Sequence, residues 1–137
     1  MYVRELKEED YQNTLFGWWK DWGWDPPSQV ALPDNGLGGL IVFSEDTPVC
    51  AGFLYETNSA MCWIEFIVSD KNYDGDDRSD AILMLIKGLS SIATDKGFKF
   101  IFTSFQGNPG LESKYKQCGF IESDKNCTQM IKALWQQ

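Results

Sequence analysis

Two apolar runs, Cys62 to Val68 and Phe98 to Ser104, are separated by an amphipathic run from Asp80 to Lys96 with helical spacing. No other feature constrains the fold so strongly. Strands joined through a helical crossover lie parallel, because the crossover returns the chain to the same end of the sheet. The helical run puts Ile82, Leu85, Ile86, Leu89 and Ile92 or Ala93 on one face, and Gly97 closes it. Upstream, the runs Leu40 to Phe43, Val49 to Tyr55 and Ala60 to Val68 are joined by short turns at Ser44–Pro48 and Glu56–Ser59. Short turns between such runs predict an antiparallel meander. The sheet is therefore expected to be mixed, with its parallel pair late in the chain.

The flanking segments extend this pattern. Tyr2 to Leu6 reads as a first strand, and Glu8, Glu9 and Asp10 suit a helix N-terminus. Tyr11, Leu15, Trp18, Trp19 and Trp22 follow at helical spacing until Gly23 and Asp25-Pro26-Pro27 stop the helix. The stretch to Gly39 reads as a long loop. Asn108-Pro109 is an N-cap followed by proline at the first helical position; Leu111, Tyr115 and Cys118 form the stripe, and Gly119 ends the helix. Phe120 to Ser123 and Cys127 to Leu134 are expected to close the sheet as a hairpin. The order is β-α-βββ-α-β-α-ββ in a single domain, 1–137, of the α+β class, layered α/β/α, with a mixed sheet of about six to seven strands.

Composition narrows the function. The 137 residues hold 12 Lys plus Arg against 20 Asp plus Glu, a formal charge of −8. Nucleic acid is an unsuitable partner for such a surface, whereas a cationic amine or basic peptide would be steered toward it. There are no histidines, which excludes histidine-based triads and histidine metal sites. Cys50, Cys62, Cys118 and Cys127 form no C-x-x-C pair. No leader-like segment and no apolar run of spanning length is visible, so reduced thiols, a cytoplasmic location and no membrane association are the expectation.

The crossover enters its helix through Val68-Ser-Asp-Lys-Asn-Tyr-Asp-Gly-Asp-Asp-Arg-Ser-Asp-Ala81. A strand, a glycine-containing loop and a helix N-terminus form a ready anion site. Here the loop carries Asp70, Asp74, Asp76, Asp77 and Asp80, which repel an anion. A cation site is an alternative reading: Asp70, Asn72, Asp74 and Asp76 stand at alternate positions, as at the start of a calcium loop, but Ala81 occupies the place of the final bidentate glutamate.

The element order, together with Asn108-Pro-Gly-Leu-Glu-Ser-Lys-Tyr115-Lys-Gln-Cys-Gly119-Phe120, resembles the GCN5-related N-acetyltransferases over nearly the whole chain. In that family a strand is followed by an asparagine and a short helix bearing a tyrosine, and the helix closes on Gly-Phe. The resemblance implies a splay between the fourth and fifth strands that admits acetyl-CoA, the acyl-donating substrate. It also implies a loop of the form Arg or Gln-x-x-Gly-x-Gly or Ala that holds the pyrophosphate. On this chain that pattern falls on Asp74, Asp77 and Ser79, leaving Gly75 as the fitting glycine and Arg78 as a substitute cation. A carboxylate about 4–8 Å from a phosphate charge costs roughly 2–4 kcal/mol at an effective dielectric near 20.

The resemblance further implies direct attack of an amine on the thioester. Tyr115 matches the general acid for the thiolate, or else packs the short helix; Asn108 would contact the pantetheine arm or cap the helix. Backbone N–H groups around Phe66, Ile67 and Val68 would hold the thioester, with Gly75, Arg78 and Ser79 toward the phosphates. Glu65, the lone acid in its strand, is the candidate base, or an exposed alternate residue. Trp18, Trp22 and Trp24 lie where the family builds its acceptor groove, although such a stripe also serves packing. The implied enzyme acetylates a small-molecule or peptide amine, as a monomer or homodimer. The alternative is an inactive binding protein on the same scaffold that has lost CoA binding.

Overall fold

The computed structural model describes residues 1–135. Five strands, β1 (Tyr2–Glu5), β2 (Gly39–Ser44), β3 (Thr47–Tyr55), β4 (Met61–Ser69) and β5 (Phe100–Thr103), form one sheet in the order β1-β2-β3-β4-β5. Neighbours are antiparallel except β4 and β5, which run parallel as the crossover requires. That crossover is the helix Arg78–Asp95. It is α2 in chain order, because a first helical segment, α1, precedes the meander as three abutting stretches, Glu8–Asp10, the π-helical Tyr11–Leu15 and Phe16–Asp21. The short helix after β5, α3, spans Pro109–Gln117. Two 3-10 turns, Gln29–Ala31 and Pro33–Gly36, punctuate the long loop.

Strand alternation sends side chains to two cores. Leu40, Val42, Cys50, Leu54, Cys62 and Ile64 face α2, where they meet Ala81, Leu85, Ile86 and Leu89. Ile41, Ala51, Phe53 and Val68 face the other way, onto Leu6, Tyr11, Leu15, Trp18 and Trp19. The helical face read from sequence is thus the buried face of α2.

β4 breaks the alternation midway. Cys62 and Ile64 point to the α2 side, yet so does Ile67, while Val68 joins the opposite core. The inversion comes from a bulge: Phe53 pairs with Glu65 and Ala51 with Val68, so Phe66 and Ile67 together oppose Gly52. Phe66 adopts φ +58°, which a bulky residue rarely takes. Gly52 makes room, since a Cβ there would approach Ile67 Cγ1 to 3.0 Å and Leu85 Cδ2 to 3.3 Å.

The expected closing hairpin, Phe120 to Ser123 with Cys127 to Leu134, is not formed, and the sheet has five strands rather than six to seven. Ile121, Met130, Ile131 and Leu134 are 88–99% exposed. The adjacent Met130 and Ile131 would point to opposite faces of a strand, so neither face gains a continuous apolar row.

Candidate active site

The ladder between β4 and β5 covers Met61–Ile64 against Phe100–Thr103 and then ends, while β4 continues to Ser69. Beyond that point the strands separate, as expected between the fourth and fifth. The bulge at Phe66 turns β4 away, and the chain after Thr103 leaves the sheet for α3. The wedge is a cleft of about 170 Å³ lined by Glu65, Phe66, Ile67, Thr103, Ser104, Phe105, Leu111 and Tyr115.

Tyr115 reaches the cleft because α3 is closed at both ends. Asn108 Oδ1 accepts the Leu111 N–H at 3.1 Å, Pro109 opens the first turn, and Gly119 ends it at φ +92°. The tyrosine ring is buried, stacked on Phe105 at 5.5 Å and edge-on to Phe120 at 4.9 Å. Its hydroxyl accepts a hydrogen bond from Thr103 Oγ1 at 3.0 Å, leaving the phenol's own proton available to donate. Burial lifts the phenol well above its ordinary titration range, so it stays protonated near neutrality.

Glu65 also lines the cleft. Ser104 Oγ donates to Glu65 Oε1 at 3.0 Å, and Gln129 Nε2 donates to Ser104 Oγ at 2.9 Å. Desolvation raises the carboxyl's pKa, opposed by the serine bond. Thr103, Ser104, Phe105 and Gln129 were not singled out by sequence reasoning. Thr103 and Ser104 carried a usable signal, as hydroxyls at the end of the parallel strand; Gln129 carried none.

The acidic loop is folded onto itself. Asp77, the residue before α2, takes a hydrogen bond from Ser44 Oγ at 2.6 Å and another from the Tyr73 hydroxyl. These two bonds hold its carboxyl below the usual carboxylate range, so it is charged at neutral pH. The Tyr73 ring lies over Gly75, in the space a Cβ there would need. Arg78 donates to Tyr73 O at 2.8 Å, Ser69 Oγ at 3.2 Å and Lys71 O at 3.4 Å. The cation that could have met a phosphate is instead bound to loop oxygens. Ser79 is exposed on the first turn of α2.

The remaining candidates lie elsewhere. Asn108 caps α3 and does not line the cleft. Trp18 is buried in the α1 core, whereas Trp22 and Trp24 stack at 5.5 Å beside the end of β4, where Trp22 Nε1 donates to Ser69 O at 2.8 Å. Asp70 Oδ1 accepts the Asn72 N–H at 2.9 Å in a local turn. Among the described residues, no three Asp, Glu or Cys side chains converge as a metal site needs, Asp74 and Asp76 included.

No protein-family model and no curated protein matches this sequence. Solved structures do match. Rv2747 from Mycobacterium tuberculosis, solved in complex with CoA and NLQ, superposes with a TM-score of 0.69 at 16% identity, covering 90% of this chain and 74% of that one. Glucosamine-6-phosphate N-acetyltransferase from Arabidopsis thaliana superposes with a TM-score of 0.64 at 14% identity, covering 97% of each chain. Ribosomal-protein-alanine N-acetyltransferase from Brucella melitensis superposes with a TM-score of 0.64 at 14% identity, covering 90% and 86%. A meander, a helical crossover and a wedge between the two parallel strands, together with these superpositions, establish that the chain has the fold of the GCN5-related N-acetyltransferases.

Proposed function

We propose that this chain is an acyltransferase that moves an acetyl group from acetyl-CoA to an amine by direct attack. One observation carries the reading: a wedge between parallel strands whose lining includes both an acid, Tyr115, and a carboxylate, Glu65. Glu65 removes a proton from the ammonium, directly or through water, and its raised pKa suits that task. The amine nitrogen then attacks the thioester carbonyl, whose developing oxyanion is met by N–H groups of β4 around the bulge. The carbon–sulfur bond breaks, the Tyr115 phenol delivers its proton to the departing thiolate, and the extra proton left on the acylated nitrogen returns to the phenolate through water. The acceptor is a small-molecule or peptide amine, drawn by the net charge of −8. Trp22 and Trp24 offer aromatic faces to such a cation beside the end of β4, and Lys71 Nζ already sits 5.6 Å from the Trp22 ring. No helix of the described residues is long and apolar enough to cross a membrane, and we place the enzyme in the cytoplasm as a monomer or homodimer.

The test is thiol release from acetyl-CoA with a panel of polyamines, arylamines and basic peptides, paired with thermal shift. Turnover by wild type and its loss in Glu65→Gln/Tyr115→Phe supports the assignment. A second reading, a non-catalytic binding protein on this scaffold, is favoured by the self-bonded loop at Asp77. It predicts an unchanged melting temperature at millimolar acetyl-CoA and a stable protein partner whose capture is indifferent to CoA.

A further inference from the structure

We infer that this site recognises its thioester donor through the pantetheine arm alone, and that the nucleotide diphosphate adds no affinity. The inference rests on the acyltransferase reading and narrows its donor class to pantetheine thioesters, whatever lies beyond the arm. Three observations carry it.

The first is direction. The β4–β5 ladder shuts the wedge on its Met61 side, so a bound arm leaves along the outer edge of β4 toward Ser69. From Ile67 at the cleft to Asp70 is only three residues, about 10 Å of extended chain. A pantetheine arm is long enough to cross that distance, and whatever it carries then meets the 70–77 loop. The second is occupancy. The space over Gly75 in that loop is filled by the Tyr73 ring, latched to Asp77 through its hydroxyl, and Ser44 holds the same carboxylate from β2. The third is charge. Arg78 is bonded to two loop carbonyls and to the Ser69 hydroxyl at the end of β4, while Asp74 and Asp76 are exposed beside the ionised Asp77. A diphosphate arriving there meets carboxylates and a ring where an open, cationic cradle would be needed. The cleft walls that would hold the arm and the acyl group, by contrast, present Thr103, Phe105, Leu111 and the β4 backbone. Recognition is thus expected at the neutral end of the donor and absent at the charged end.

Isothermal titration of the wild-type protein with acetyl-pantetheine and with acetyl-CoA tests this. The expected result is a dissociation constant for acetyl-CoA equal to that for acetyl-pantetheine or weaker by up to about tenfold, with the gap closing as salt screens the loop carboxylates. Asp74→Asn/Asp76→Asn, at exposed positions outside the Tyr73–Asp77 latch, should tighten acetyl-CoA severalfold and leave acetyl-pantetheine unchanged. Acetyl-CoA binding to wild type tighter than acetyl-pantetheine beyond the error of the titration overturns the inference while sustaining the acyltransferase reading. Failure of both thioesters to bind overturns the acyltransferase reading, and this inference with it.

Discussion

Replacing Tyr115 by Phe separates chemistry from packing, because the structure assigns the ring and the hydroxyl different work. The ring is 3% exposed and held by Phe105 and Phe120, contacts that Phe retains. The hydroxyl accepts one hydrogen bond, from Thr103. Its loss costs about 1 kcal/mol, the net worth of such a bond. For a domain of this size that lowers Tm by roughly 3–5 °C. The catalytic loss should be larger. Without the phenol, the leaving thiolate must take its proton from water, and a positioned acid typically contributes about 10²–10⁴-fold. A thiolate leaves readily, since a thiol's ordinary pKa is only about 8.5, so the low end, about 10²-fold in kcat, is expected. KM should stay within about twofold, because the acid acts after the substrate is bound. Burial holds the wild-type phenol protonated, so loss of its proton should produce no alkaline fall in rate near neutral or mildly basic pH. The assay is thiol release with Ellman's reagent, with a blank for the protein's own exposed Cys127. An unchanged kcat alongside the lowered Tm would refute the reasoning and leave Tyr115 as a packing residue.

Glu65→Gln should remove the acid limb of the pH–rate profile. Desolvation raises the carboxyl's pKa, so wild-type activity climbs as pH rises through that raised value, and the variant's residual rate should be flat there. Asp10 is buried, and although desolvation alone would raise its pKa, the paired bonds from Arg4 at 2.8 and 3.0 Å and from the Lys7 N–H at 2.7 Å leave it lowered. Its contribution to stability is therefore present above the ordinary carboxylate pKa and disappears as pH falls through the lowered one, which urea denaturation at a series of pH values will show. Arg4→Ala leaves that carboxylate with the Lys7 N–H alone and should cost about 2–3 kcal/mol at neutral pH by the same measurement. Gly52→Ala presses a methyl on Ile67 and Leu85, and should cost about 1–2 kcal/mol while weakening thioester binding through the displaced bulge. Unchanged affinity by titration would detach the bulge from donor recognition.

Much of this molecule is written locally. The stripe of α2, the cap and stop of α3 at Asn108 and Gly119, and the turns of the meander are all relations among residues a few positions apart. Such relations set which face of an element is apolar, and the apolar faces dictate the layering. The Asn108-to-Tyr115 spacing carried the family resemblance, and it was that resemblance which implied a role for Tyr115 besides packing the short helix. Where local patterning was thin, reading it as structure went astray: the C-terminal runs lacked an alternating face, and no hairpin forms there.

The cleft itself has another origin. Its bonds join Ser104 to Glu65, 39 positions apart, and Thr103 to Tyr115, 12 apart, while Ser44 meets Asp77 across 33. No periodicity encodes such encounters; they arise from the register of paired strands and from the bulge that reverses the facing of β4 after Ile64. The loop shows the same division. Its carboxylates are plain in the chain, but that Tyr73 is latched over Gly75 and that Arg78 is committed to loop oxygens depends on how folding presses β2, β4 and α2 together. A chain states its apolar faces in the order of its residues, whereas the directions of polar side chains follow from whichever partners packing brings within hydrogen-bond reach.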